Sequence, residues 1–110
     1  MPTPNRSLWE MLVPVTVKGL TVPKQHHQLW DAEVRKVSQS LTILSPARGQ
    51  WVTPLGCLQV ERMSPVRIIC TKREIARIAT LTSRHYKQEA VMYCELRRHV
   101  RIRRYGPDFV

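Results

Sequence analysis

Along residues 11–19, Val13, Val15 and Val17 alternate with Pro14, Thr16 and Lys18. A period of two predicts a half-buried strand there, with Pro14 at an edge or bulge and Gly19 as its end. The preceding residues 1–10 carry Pro2 and Pro4 and no periodicity, which predicts a loose arm. The period then changes. Trp30, Val34, Val37 and Leu41 recur at spacings of four, three and four, the stripe of a helix over Lys24 to Ser40. Leu41 to Leu44 form a short apolar strand, and "SPARGQW" predicts a loop through Pro46 and Gly49. Thr53-Pro54-Leu55-Gly56 predicts the turn of a hairpin. Beyond it Leu58, Val60 and Arg62 alternate with Gln59, Glu61 and Met63, and Val66 to Cys70 read as another strand.

Thr71-Lys72-Arg73-Glu74 is a capping box, in which the Thr71 hydroxyl and the Glu74 carboxylate each accept from the other residue's amide. It opens a helix from Lys72 to about Lys87, buried along Ile75, Ile78, Ala79, Thr82 and Tyr86. "AVMYCE" predicts a strand, "LRRH" a turn, and "VRIRRY" a returning antiparallel strand with Arg101 and Arg103 facing out. The order β-α-β, hairpin, β-α-β predicts an α+β chain, residues 1–110 forming a single domain. The arrangement is a ferredoxin-like two-layer sandwich, an antiparallel sheet with two helices on one face. The other sheet face is then bare, to be covered by a subunit partner, by the long hairpin or by a ligand.

Charge changes this picture most. Lys and Arg total 18 against 8 acids, a formal net charge of +10. Such an excess attracts phosphate backbones, anionic lipids and acidic proteins alike, and equally describes a solvated basic surface with no dedicated partner. Hydrophobic residues at 43% and charged residues at 24% exclude a disordered chain. No apolar run approaches the roughly 20 residues of a membrane span, and "MPTPNRSLWEM" lacks a secretory pattern. A small basic nucleic-acid-binding or anti-defence protein without catalysis is one reading. Against it, ferredoxin-like sheets bind RNA through exposed aromatics, and aromatics here are only 6%.

Candidate chemistry is sparse. There is no Gly-rich phosphate loop, nucleophile elbow or HExxH motif, and no metal site is predicted. His26 and His27 are neighbours, which cannot share a helix face, so they are assigned to the surface. Cys57, Cys70 and Cys94 lack metal-ligand spacing and predict buried thiols in a reducing cytosol. Asp31 and Glu33 suit ordinary surface pairing with Arg35. Glu61 stands mid-strand after a glycine-containing turn. Pairing with a neighbouring arginine explains it simply, and a carboxylate in a cleft would also suit a cationic ligand.

The run Val66 to Tyr93, with Val66-Arg67, Cys70, an alanine-containing helix and Gln88-Glu89 leading into Ala90–Tyr93, resembles small bacteriophage S-adenosylmethionine-degrading enzymes. These are described as hydrolases or lyases. "GCLQVE", Gly56 to Glu61, is similar to the family's Gly-Cys segment with an acid shortly after. The resemblance covers Gly49 to Tyr93. It implies a cytoplasmic enzyme of an infected bacterial host, a homotrimer with sites between subunits, anti-restriction activity, and no cofactor. In the lyase outcome the substrate carboxylate attacks its own γ-carbon, releasing 5′-methylthioadenosine and homoserine lactone; hydrolysis would give homoserine. A tight pocket that folds the substrate suffices for such a displacement. The resemblance makes Glu61 the catalytic candidate, acting by positioning away from the sulfonium. It makes Gln88, Glu89, Trp51 and Tyr93 substrate contacts.

Overall fold

In a computed structural model the chain is described over residues 5–107. Strand β1 (Ser7–Pro14) runs through the middle of the sheet. It pairs antiparallel with β6 (Leu58–Cys70) on one side and with β7 (Tyr93–Arg97) on the other. Two short partners share the far edge of β6: β4 (Thr42–Ile43) against Arg67 and Val66, and β5 (Ala47–Val52) against Leu58 to Met63. Helices α1 (Lys24–Ser38) and α2 (Lys72–Tyr86) both cover one face. This is the ferredoxin-like sandwich that the element order predicts.

Register explains the layers. Trp9, Met11 and Val13 lie opposite Ile68, Val66 and Ser64, so all six share the helix side. Against them pack Trp30 and Val34 of α1 and Ile75, Ile78, Thr82 and Tyr86 of α2, all buried. Thr82 is the fully buried polar residue in this core, Ser64 lying nearer its margin. Its hydroxyl accepts from Trp30 Nε1 (2.9 Å) and donates to the Ile78 carbonyl (2.6 Å). No donor at that point is left without an acceptor. The capping box is formed as predicted, with Thr71 Oγ1 3.1 Å from the Glu74 amide and Glu74 Oε1 2.9 Å from the Thr71 amide. Ala79 is only partly buried.

Several expectations are corrected. The loose arm ends early: β1 begins at Ser7, because Trp9 fills the core and its indole donates to the Cys70 carbonyl at 3.1 Å. Residues 1–4 of the arm lie outside the described residues. The valine strand breaks after Pro14, and Thr16–Val17 (β2) folds onto Leu20–Thr21 (β3). Lys18 and Gly19 both take positive φ between them, the signature of a two-residue hairpin turn. The loop "SPARGQW" becomes β5, since pairing with β6 satisfies a backbone whose side chains carry no period. Pro65 does not divide β6. The Leu44 amide donates to the Pro65 carbonyl, so proline's missing N–H falls on the β4 side, where pairing is two residues long. "VRIRRY" forms no strand; the Val100 amide instead donates to the Arg6 carbonyl at 2.9 Å.

The molecule measures 53 × 28 × 21 Å. The long axis includes the β5–β6 hairpin, which carries the predicted turn, with Gly56 at φ +83° and its amide bonded to the Thr53 carbonyl. Val52, Leu58 and Val60 continue the helix side of the sheet, yet no layer covers them; they are 73%, 62% and 54% exposed.

Candidate functional site

Two surfaces stand out. The first is a cleft of about 310 Å³ between α1, the β4 segment and the sheet. Val13, Val15 and Val66 form its floor, Trp30 one wall, and Ile43, Leu44 and Pro46 the other. Its polar groups are His27, Asp31, Tyr86 and Ser64, whose hydroxyl is already donated to the Leu44 carbonyl at 2.8 Å. A mostly apolar hollow with a few convergent polar groups is the usual form of a small-molecule site.

The helices bring the polar end together. His27 and Asp31 are four residues apart on α1 and face the same way. Tyr86 closes α2, and its hydroxyl lies 2.7 Å from His27 Nδ1. Burial, then the Asp31 charge, pushes the Tyr86 phenol well above its usual range. The phenol therefore keeps its proton, and the His27 tautomer decides which partner donates in this bond. Burial also lowers the His27 pKa, aided by His26 and His85 and opposed by Asp31.

Beside it, His26 and His85 stack with ring centroids 3.9 Å apart. Each Nε2–H donates to the other residue's carbonyl, at 2.7 and 2.6 Å. The surface assignment of His26 and His27 is thus corrected: both are half-buried and clasp the start of α1 to the end of α2. Adjacency in sequence hid this, because the partners lie 59 residues away.

The second surface is the open sheet face continued by the β5–β6 hairpin, an arm distinct from the N-terminal segment. Leu8, Leu12, Pro65 and Ile69 are half-buried there around an Arg67–Glu10 ion pair of 3.3 Å. On the arm, Trp51, Glu61 and Met63 share that side. The Trp51 indole N–H is shut off from solvent and has no acceptor among the described residues.

The predicted site residues divide between two regions of one protomer. Trp51 and Glu61 stand together on the arm, with Glu61 opposite Gly49. Gln88 and Glu89 lie in the α2–β7 connection, where the Gln88 side-chain amide donates to the Tyr86 carbonyl. Tyr93 opens β7, across β1, with its ring edge-on to Trp9 at 6.1 Å. Among the described residues, Glu61 is in none of the ion pairs. Of the thiols only Cys70 is buried, and burial, reinforced by the Glu74 charge, pushes its pKa up to about 12. Cys57 and Cys94 are exposed, against expectation, because the arm and β7 lack a covering layer. Asp31 pairs with no arginine; Glu33 pairs with Lys36 instead, at 2.9 Å. The i, i+4 spacing of His27 and Asp31 was the signal for the cleft. Among the described residues no group of three or more His, Cys, Asp or Glu could hold a metal ion, and no helix is long and apolar enough to cross a membrane.

No protein-family model matches the sequence, and no curated protein matches it. Solved structures do match its fold. CutA1 from Oryza sativa superposes with a TM-score of 0.63 at 10% identity, covering 97% of this chain and 88% of that one. The divalent cation tolerance protein CutA1 from Thermus thermophilus gives 0.62 at 6% identity, covering 94% and 90%. The periplasmic divalent cation tolerance protein CutA from Archaeoglobus fulgidus gives 0.60 at 9%, covering 94% and 90%. These likenesses show a shared fold. They overturn the resemblance to the phage S-adenosylmethionine-degrading enzymes, and with it the lyase or hydrolase activity, the anti-restriction role and the S-adenosylmethionine substrate. The short motifs behind that resemblance are structural ones, a strand and a capped helix common to many two-layer sandwiches. The non-catalytic nucleic-acid reading gains no support either.

Proposed function

We propose that this chain is a self-assembling, non-catalytic protein built like CutA, a homotrimer whose role lies in tolerance of divalent cations. The observation that carries self-assembly is the β5–β6 arm. Val52, Leu55, Leu58 and Val60 stand exposed on it. A contiguous apolar surface of this kind marks an association site. The cation role is supported by the names of the neighbours that share the fold. Within one protomer the described residues do not fit a metal centre, so cations would meet the assembly rather than a single chain.

Light scattering at micromolar concentration tests this, followed by titration of the assembled protein with Zn²⁺ and Cu²⁺. A trimer that binds either ion supports the proposal. A clean monomer refutes the assembly, and an assembled protein that binds neither ion refutes the cation role.

A further inference from the structure

In a chain with 18 basic side chains and 8 acidic ones, an unpaired carboxylate at an apolar cleft is an unusual placement. Other surface hollows contain arginine, in two cases together with a glutamate, Glu33 or Glu89. The groove between the helices presents Arg73, Arg77 and Arg84, and the hollow under the C-terminal tail presents Arg6, Arg101, Arg103 and Arg104. A small hollow by Ser83 also contains Arg84. The cleft beside β4 contains neither Lys nor Arg, and Asp31 is its charged group.

We propose that this cleft binds a small monocation, a protonated amine carried on a compact apolar body. Asp31 supplies the negative charge and has no ion-pair or hydrogen-bond partner among the described residues. Trp30 and Tyr86 line the same hollow with their rings packed 6.1 Å apart and buried, and add to its apolar wall. His27 lies beside the Tyr86 hydroxyl at 2.7 Å, and burial disfavours its charged form, which limits the positive charge it brings to the cleft. Valine, isoleucine, leucine and proline side chains make up most of the remaining wall and suit a hydrocarbon or aryl body. A volume of about 310 Å³ falls at the small end of the usual range for ligand sites, which limits the body to about one ring. An anionic ligand would face Asp31, and a long one would leave the cleft.

The probe is 2-phenylethylamine, with 2-phenylethanol and phenylacetate as neutral and anionic counterparts of the same shape. Binding is read by calorimetry and by amide shifts on the full chain, near pH 7.5, where the ordinary histidine is neutral. The amine should bind at least about tenfold more tightly than the alcohol, and phenylacetate more weakly than either. Shifts should fall on α1, the β4 segment and Tyr86. Asp31→Asn should abolish the preference for the amine and leave alcohol binding within about twofold. If Asp31→Asn fails to fold, Ile43→Arg at the cleft mouth should offset the Asp31 charge and abolish the preference for the amine. Equal affinity for amine and alcohol overturns the proposal, as does no binding of the amine at about 10 mM. Cleft resonances that move on dilution and not with the amine would assign the cleft to a second copy of the chain, and also overturn it. Neither result depends on the trimer or on metal binding.

Discussion

Replacing Thr82 by Val keeps the volume of a fully buried side chain and removes one oxygen. That oxygen is the acceptor for Trp30 Nε1 at 2.9 Å, and Trp30 is itself 1% exposed. The indole N–H cannot reach water, so Thr82→Val leaves a buried donor unsatisfied. Such an orphan costs about 1–3 kcal/mol. The second bond of the hydroxyl, to the Ile78 carbonyl, counts for less, because the helix gives that carbonyl another donor, the Thr82 amide. The added methyl lies near Met11 Sδ, which is 3.5 Å from the hydroxyl, and returns a few tenths of a kcal/mol at most. The net expectation is about 1–2 kcal/mol lost. Urea unfolding at fixed protomer concentration measures it, so that the proposed assembly adds no concentration dependence. A double-mutant cycle with Trp30→Phe isolates the bond. In the Thr82→Val background, Trp30→Phe removes an orphan donor and should cost about 1 kcal/mol less than in the parent. Thr82→Val as stable as the parent, or strict additivity with Trp30→Phe, would refute the reasoning.

Thr71→Ala should destabilise by about 1 kcal/mol through loss of the capping box, seen as a melting-temperature drop of several degrees. The folded-state pKa of His27 is depressed, so the unfolded chain binds more protons below the ordinary histidine value. The stability His27 contributes is therefore present above that value and lost as pH falls through the folded one; thermal melts of His27→Gln against the parent across that window should show a flatter acid limb. Asp31→Asn removes the charge that raises the His27 pKa, so imidazole proton shifts should titrate at still lower pH than in the parent. Leu58→Lys with Val60→Lys should give a folded monomer by light scattering, and an intact assembly would remove the arm from the interface.

Local signals carried much of the fold. The Thr71–Glu74 box set the start of α2 because both of its bonds are local. Ile75, Ile78, Thr82 and Tyr86 were legible because a helix repeats its buried face within a few residues. The errors lie where pairing partners are distant. β5 has no side-chain period, and only its hydrogen bonds to Leu58–Met63 make it a strand. Ser7–Glu10 looked like a polar, aperiodic arm until Trp9 found the Cys70 carbonyl 61 residues away. The candidate site followed the same division. Glu61 and Trp51 are near each other because a hairpin is local, whereas His27 with Tyr86 and His26 with His85 are products of α1 packing on α2.

The charge pattern also bears on what holds copies together. Each protomer carries +10, so association brings like charges together and is opposed at long range. An interface through the helix groove would confront Arg73, Arg77 and Arg84 with their own images, and one through the tail would do the same with Arg101, Arg103 and Arg104. The open sheet face avoids this, whereas the Val60 side of the arm carries Arg48 opposite Arg62. The central charges of the open face, Arg67 and Glu10, already neutralise each other at 3.3 Å, and around them lie Leu8, Leu12, Pro65 and Ile69. Apolar burial there is indifferent to salt, whereas the repulsion among basic surfaces is screened within about 10 Å at 0.1 M salt. Assembly through this face should therefore tighten as salt rises. Contacts made by arginine with an anionic partner would weaken under the same change.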